Sequence, residues 1–179
     1  MRIDAREGDQ VRIGVSIPIP EPYTSSLSRA RIEVGDPLAH SVPPHITLLP
    51  PTVIAPGGLE PVHQHLKAVA ERHTPFVVEL RGTATFRPVS PVVYVRVAVG
   101  AQFCEELQES VNAGPLAQET RFPYHPHVTI AHEIPECGLD AAAEVMGGFE
   151  AIFPVAHFSL YEYGDDGVWR DEGTFTLTS

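Results

Sequence analysis

One short segment occurs twice in this 179-residue chain, and it constrains the fold more than any other feature. Pro44-His45-Ile46-Thr47-Leu48 and Pro126-His127-Val128-Thr129-Ile130 both read Pro-His-aliphatic-Thr-aliphatic, and His127 follows His45 by 82 residues, close to half the chain. An internal repeat at that spacing predicts two related lobes joined across a pseudo-twofold. Within each copy the alternation is that of a strand, in which residues i and i+2 share one face and i+1 takes the other. Ile46 and Leu48 then face a core, as do Val128 and Ile130. His45 with Thr47, and His127 with Thr129, stand on the opposite face. A single H-x-T arises often by chance. A second copy with the same preceding proline and the same aliphatic interleaving is much harder to obtain.

The rest of the chain supplies elements around these two strands. Residues 1–10 read as a polar arm. Ile13, Val15 and Ile17 alternate with polar or small residues and predict a strand that Pro18, Pro20 and Pro22 end. Apolar residues at helical spacing predict helices through Tyr23–Val34, with Gly35 at the C′ position, and through Leu59–Val69, closed by Pro75. Two more are expected through Phe103–Val111, stopped by Ala113-Gly114-Pro115, and Leu139–Met146, stopped by Gly147-Gly148. Strands are expected near 45–49, 76–81, 92–99 and 127–131. A strand-like tail over 149–163 leads through the turn Asp165-Asp166-Gly167 into 168–177. The fold class is therefore α+β, a single bilobal domain over 1–179 with H-x-T-bearing halves at roughly 11–90 and 91–179.

Each repeated segment offers an imidazole and a hydroxyl on a rigid apolar strand. Two such pairs facing each other would supply two groups that titrate near pH 6.5 and two hydroxyl donors. These are the parts that metal-free phosphoryl chemistry needs. A neutral His takes a proton from the attacking oxygen, and a protonated His gives one to the leaving oxygen. The threonines donate to the non-bridging oxygens, where charge gathers in the transition state.

Charge narrows the partners. The formal net charge is −11, and from Ala131 onward ten carboxylates face one cation, Arg170. Such a surface repels long polyanions, so duplex DNA and membrane surfaces are not expected as partners; a small nucleotide or an RNA 3′-end carrying a cyclic phosphate is. Cys104 and Cys137 form no C-x-x-C, the start lacks an apolar leader, and no stretch suits a membrane span. A monomeric, reduced, cytoplasmic protein is the expectation.

With these residues in view, the chain resembles the 2H phosphoesterase superfamily, in particular its bacterial 2′-5′ RNA ligase-like branch, whose signature is two H-x-[TS]-x motifs. The resemblance runs from about Arg12 onward. It takes in Pro-Pro-His-Ile-Thr-Leu-Leu, the Thr85-Phe86-Arg87-Pro88 approach to a Val-rich strand, Pro-His-Val-Thr-Ile-Ala and a closing strand around Phe158–Tyr163. It implies two antiparallel sheets lining a central cleft with helices outside. It also implies catalysis by His45 and His127 without metal or other cofactor, with phosphate held by Thr47 and Thr129. The expected reaction is hydrolysis or formation of a 2′,3′-cyclic phosphate or a 2′-5′ phosphodiester bond. Many members follow the second motif with Ala-Arg where this chain has Ala131-His132, so His132 would bind phosphate there only when protonated.

Further candidates follow from the pattern. Tyr94 and Arg96 lie opposite the valine face of the 92–99 strand, where Tyr94 could stack on a base and Arg96 meet phosphate. Arg87 and Arg121 are additional phosphate-binding candidates. Trp169 is expected to pack the terminal hairpin onto the core, and His125 to sit at the rim of the cleft. Two other readings compete: a non-catalytic RNA- or nucleotide-binding module of the same fold, and a His-metal hydrolase centred on 125–132, where His125-x-His127 has ligand-like spacing. His63 and His65 fall on a predicted helix, where i and i+2 diverge.

Overall fold

The structure, a computed structural model, describes residues 8–178 with the exception of 121. Arg121 and most of the 1–10 arm therefore lie outside the described residues. Among the described residues, eight strands and four α-helices follow one another as β1 (Val11–Pro18), α1 (Tyr23–Glu33), β2 (His45–Ile54), α2 (Leu59–Ala70), β3 (Phe76–Thr85), β4 (Val92–Val99), α3 (Ala101–Val111), β5 (His127–His132), α4 (Glu136–Val145), β6 (Glu150–Val155), β7 (His157–Tyr163) and β8 (Trp169–Thr176). Gly35, with φ at +79°, ends α1 as expected of a glycine after a helix.

All strands join one antiparallel sheet in the order β6-β3-β4-β5-β2-β1-β7-β8. The expected two sheets are thus fused into one. The join is narrow: β5 and β2, the two H-x-T strands, meet through the pair Ile46 and Val128. On either side of it stands a group of four strands within the continuous sheet.

The two groups draw on different stretches of the chain. One group, β2-β1-β7-β8, takes strands from both ends of the chain, and the other, β6-β3-β4-β5, takes the middle. The reason is local. The turn after β3 returns the chain directly into β4, with Phe86 N–H bonded to the Val92 carbonyl at 3.1 Å. That turn keeps β3 and β4 side by side in one group.

One face of the sheet is covered. Ile13, Val15 and Ile17 of β1, Ile46 and Leu48 of β2, Val93 and Val95 of β4, and Val128 and Ile130 of β5 are at most 1% exposed. They share a core with Leu27 and Ala30 of α1, Val62, Leu66 and Val69 of α2, Cys104, Leu107 and Val111 of α3, and Leu139 and Ala142 of α4. Fully burying an aliphatic side chain contributes about 1.5–3 kcal/mol, so this layer fixes which way each strand faces. A one-residue slip of β2 or β5 would turn its histidine into the core. Among the described residues no helix is long and apolar enough to cross a membrane.

Candidate active site

The open face of the sheet carries the repeated polar residues. Along β2, His45 and Thr47 are half-buried while Ile46 and Leu48 are buried; along β5, His127 and Thr129 alternate with Val128 and Ile130 in the same way. Because Ile46 pairs with Val128 in antiparallel sense, His45 falls opposite Thr129 and Thr47 opposite His127. The two histidines are diagonal neighbours across the join. Such neighbours stand about 7–8 Å apart in a ladder, a separation that accommodates one phosphate between two imidazoles.

Both rings are held alike. His45 Nδ1 lies 2.7 Å from the Pro43 carbonyl, and His127 Nδ1 lies 2.7 Å from the His125 carbonyl. A carbonyl oxygen can only accept, so each Nδ1 carries a hydrogen and donates it two residues back along the chain. That leaves each Nε2 as the nitrogen that gains or loses the working proton. The repeated Pro-His sequence therefore reproduces a tautomer as well as a strand direction.

The loops that deliver these carbonyls are pinned differently. Three residues before His45, the Val42 carbonyl accepts from Arg31 Nη1 at 2.5 Å. Three residues before His127, the Tyr124 hydroxyl donates to the Thr47 carbonyl at 2.9 Å, tying the second loop to the first motif strand.

Aromatic rings flank each imidazole. Trp169 of β8 lies against His45 with ring centroids 4.6 Å apart and reaches across Gly14 of β1. On the other side Phe86 and Tyr94 stack at 4.3 Å, and their centroids lie 5.0 and 5.1 Å from that of His127. Burial pulls the His45 imidazole down to about 4, below the ordinary histidine value of 6.5; the Arg31 charge and His127 act in the same direction, against the Pro43 carbonyl. His127 is also lowered, first by burial and then by His125, with the His125 carbonyl opposing.

The remaining candidates divide. Tyr94 is opposite Thr129 in register and joins the wall beside His127. Arg96 is opposite His127, with its guanidinium close over Gly82 of β3. His125 is exposed; its ring stacks at 6.3 Å from that of His127 and meets Phe86 and Tyr94 edge-on. Arg87 turns elsewhere, with Nη1 2.6 Å from Glu136 and 2.9 Å from Asp140, both on α4, so two carboxylates already engage the charge proposed for phosphate. His132 ends β5 opposite Val92, three residues or about 10 Å beyond Thr129. Its Nε2 lies 3.4 Å from Glu133, and burial lowers its pKa, which favours the neutral ring at pH 7. Among the described residues, no group of three or more His, Cys, Asp or Glu is arranged to hold a metal ion.

Of the rings flanking the two imidazoles, sequence reasoning misses two. It assigns Trp169 to packing alone and Phe86 only to the approach to β4. Neither lies near a motif in sequence. The chain reaches the site at Trp169 through the β7–β8 hairpin, which closes at Gly164–Val168.

Comparison with known proteins settles the lineage. A family model described as the 2′-5′ RNA ligase superfamily matches residues 19–167. The chain belongs to that superfamily. A Bacillus thuringiensis (strain Al Hakam) protein named "Putative phosphoesterase" is 31% identical over 149 residues, covering 79% of this chain and 83% of the relative. A phosphoesterase-named protein of Bacillus anthracis (strain CDC 684 / NRRL 3495) shows the same identity and coverage. Among solved structures, E. coli LigT complexed with 3′-AMP superposes with a TM-score of 0.68 at 16% identity, covering 95% of this chain and 99% of LigT. TT0787 of Thermus thermophilus gives 0.66 at 24% identity, covering 93% and 97%. Superfamily and curated relatives together place the chain among phosphoesterase-type enzymes, and the solved structures share its fold.

Proposed function

We propose that this protein is a metal-independent phosphoesterase that acts on a 2′,3′-cyclic phosphate or a 2′-5′ phosphodiester bond, in a small nucleotide or at an RNA end. The observation that carries the reading is the pair of diagonal histidines on adjoining strands, each locked with Nδ1 as donor and Nε2 open. In the hydrolytic direction, one Nε2 accepts a proton from water as the water oxygen bonds to phosphorus. The other Nε2–H gives its proton to the ribose oxygen as the P–O bond breaks. Thr47 and Thr129 donate to the non-bridging oxygens, and Tyr94, with Phe86 behind it, walls the His127 side. In-line transfer suits two groups on opposite sides of phosphorus. Formation of the bond is the same path reversed.

Support for a small substrate comes from two directions. The acidic surface, with net charge −11, disfavours long polyanions. LigT, which shares the fold, has been solved with 3′-AMP, NADP+, ATP and phosphate. The test is a screen of 2′,3′-cyclic nucleotides, cyclic-phosphate-ended oligonucleotides and 2′-5′-linked dinucleotides with EDTA present. Turnover that falls by about 10²–10⁴ in His45→Ala and in His127→Ala is expected. Turnover that EDTA removes and a divalent metal restores would overturn the metal-free mechanism.

A further inference from the structure

We propose that Arg31, held by Asp36, is a positioning residue for His45: it fixes the 36–44 segment whose Pro43 carbonyl orients the ring, and its charge reserves His45 as the proton acceptor of hydrolysis. The inference rests on the phosphoesterase reading for the word "acceptor", but its geometric part does not depend on that reading.

The pair is buried and tightly bonded. Arg31 and Asp36 are 4% and 5% exposed, and charged side chains are rarely so buried unless paired, as these are. Arg31 Nε donates to Asp36 Oδ2 at 2.8 Å, and Arg31 Nη1 donates to the Val42 carbonyl at 2.5 Å. The other Asp36 oxygen accepts from Leu38 N–H at 3.0 Å, while Asp36 N–H donates to the Arg31 carbonyl at 2.9 Å. One guanidinium thus clamps both ends of the loop that runs from α1 to β2. Val42 adjoins Pro43, whose carbonyl takes the His45 Nδ1 hydrogen at 2.7 Å. A shift of Val42 would move that acceptor, and with it the tautomer and the direction of Nε2.

A buried ion pair is a poor source of stability, since apolar residues of similar volume often serve as well. Its use here is specificity of place and charge. The charged or titratable groups acting on His45 are Arg31 from α1 and His127 from β5, and both disfavour a proton on the ring. Its neighbour from β8, Trp169, is uncharged, and its register partner on β1 is Pro18. The equivalent loop before His127 is pinned by Tyr124, a neutral group held neutral by burial. The cation beside His127, Arg96 of β4, is exposed and takes no part in lowering that ring, whereas the buried Arg31 lowers His45, and this inequality separates two otherwise repeated sites into an acceptor and a donor.

Two variants test this. Arg31→Met/Asp36→Leu removes both charges together, so no lone charge stays buried. Arg31→Lys keeps the cation but loses the fork that reaches Asp36 and Val42 at once. Two readouts are used: long-range 15N–1H NMR of the imidazoles, which reports tautomer and titration without substrate, and the pH dependence of kcat/KM on a 2′,3′-cyclic nucleotide. In the double variant the His45 titration, and the acid limb of the rate, should rise by about 0.5–1 unit, at the low end of what a neighbouring charge does, while His127 titrates as before. In Arg31→Lys the limb should stay, with His45 losing its single Nδ1–H tautomer and kcat falling about tenfold. A folded double variant whose His45 titration and tautomer are unchanged would overturn the proposal. Should that variant fail to fold, an Arg31→Lys protein with wild-type tautomer and kcat would do the same. If the wild type turns over no cyclic phosphate, the functional reading fails while the NMR result still decides the positioning role.

Discussion

His45 and His127 share a sequence pattern, a strand position and an Nδ1 bond of 2.7 Å to the carbonyl two residues earlier, yet their surroundings differ. His45 sits under an indole with a buried cation behind it. His127 meets Phe86, Tyr94 and His125, and its loop is pinned by a tyrosine hydroxyl. The duplicated strand supplies two interchangeable imidazoles. The segments outside the duplication, α1 with its following loop and β8 on one side and the β3–β4 turn on the other, make them unequal. Acid–base chemistry needs such inequality, because one nitrogen must be bare while the other holds its proton.

The largest expected effect removes either member. His45→Ala and His127→Ala should each lower kcat by about 10²–10⁴, and the double variant should be little worse, since the two act as a unit. A silent His45→Ala beside a dead His127→Ala would break the pairing and favour a single centre at 125–132. Next come the hydroxyls: Thr47→Ala and Thr129→Ala should cost about 10–10³ in kcat, the upper end matching loss of an oxyanion donor. Similar losses in both would support a phosphate held symmetrically across the join.

Smaller changes sharpen the asymmetry. Trp169→Ala opens His45 to water, which relieves the main cause of its lowered pKa, so the acid limb of kcat/KM should move up from about 4 toward 6.5. Phe86→Ala should instead raise the alkaline limb, if His127 is the proton donor proposed above. Movement of the same limb in both variants would contradict separate roles. Stability should follow the same sign. An imidazole whose folded pKa lies below its unfolded value favours the fold when neutral, so its contribution is full above 6.5 and is lost as pH falls toward about 4. Urea midpoints should therefore drop between pH 7 and pH 5, and less steeply in His45→Ala. The smallest effect is expected at His125→Ala, below about tenfold in kcat, for an exposed ring that touches the wall but carries no working proton.

Much of this is legible in the chain because it depends on short-range periodicity. The alternation in Ile13, Val15 and Ile17 and in the two motifs declares which face is buried, and helical spacing locates all four helices. Two boundaries are hidden by tertiary pairing. The run 149–163 reads as one strand, but it breaks at Ala156 so that β6 joins one edge of the sheet and β7 lies beside β1. No glycine marks that crossing. The sequence predicts that β2 ends near 49, before Pro50-Pro51, yet it continues to Ile54 because both prolines fall in a bulge between the Leu49–Val15 and Thr52–Ile13 pairs, where no ladder hydrogen bond is required. At the site, the motif residues are legible and their modifiers are not. Arg31, Phe86, Tyr124 and Trp169 reach the histidines only through the fold. Arg87, chosen for its charge, finds Glu136 and Asp140 on α4, a pairing across 49 residues that no local pattern announces.

The unequal pair is tested most directly by the pH dependence of kcat/KM between pH 4 and 10, measured on a 2′,3′-cyclic nucleotide with EDTA present. A bell is expected, displaced to the acid side of 6.5 because both imidazoles are lowered, with its acid limb near 4 set by His45. A rate that climbs steadily to pH 10, with no alkaline limb, would contradict a protonated histidine as the proton donor.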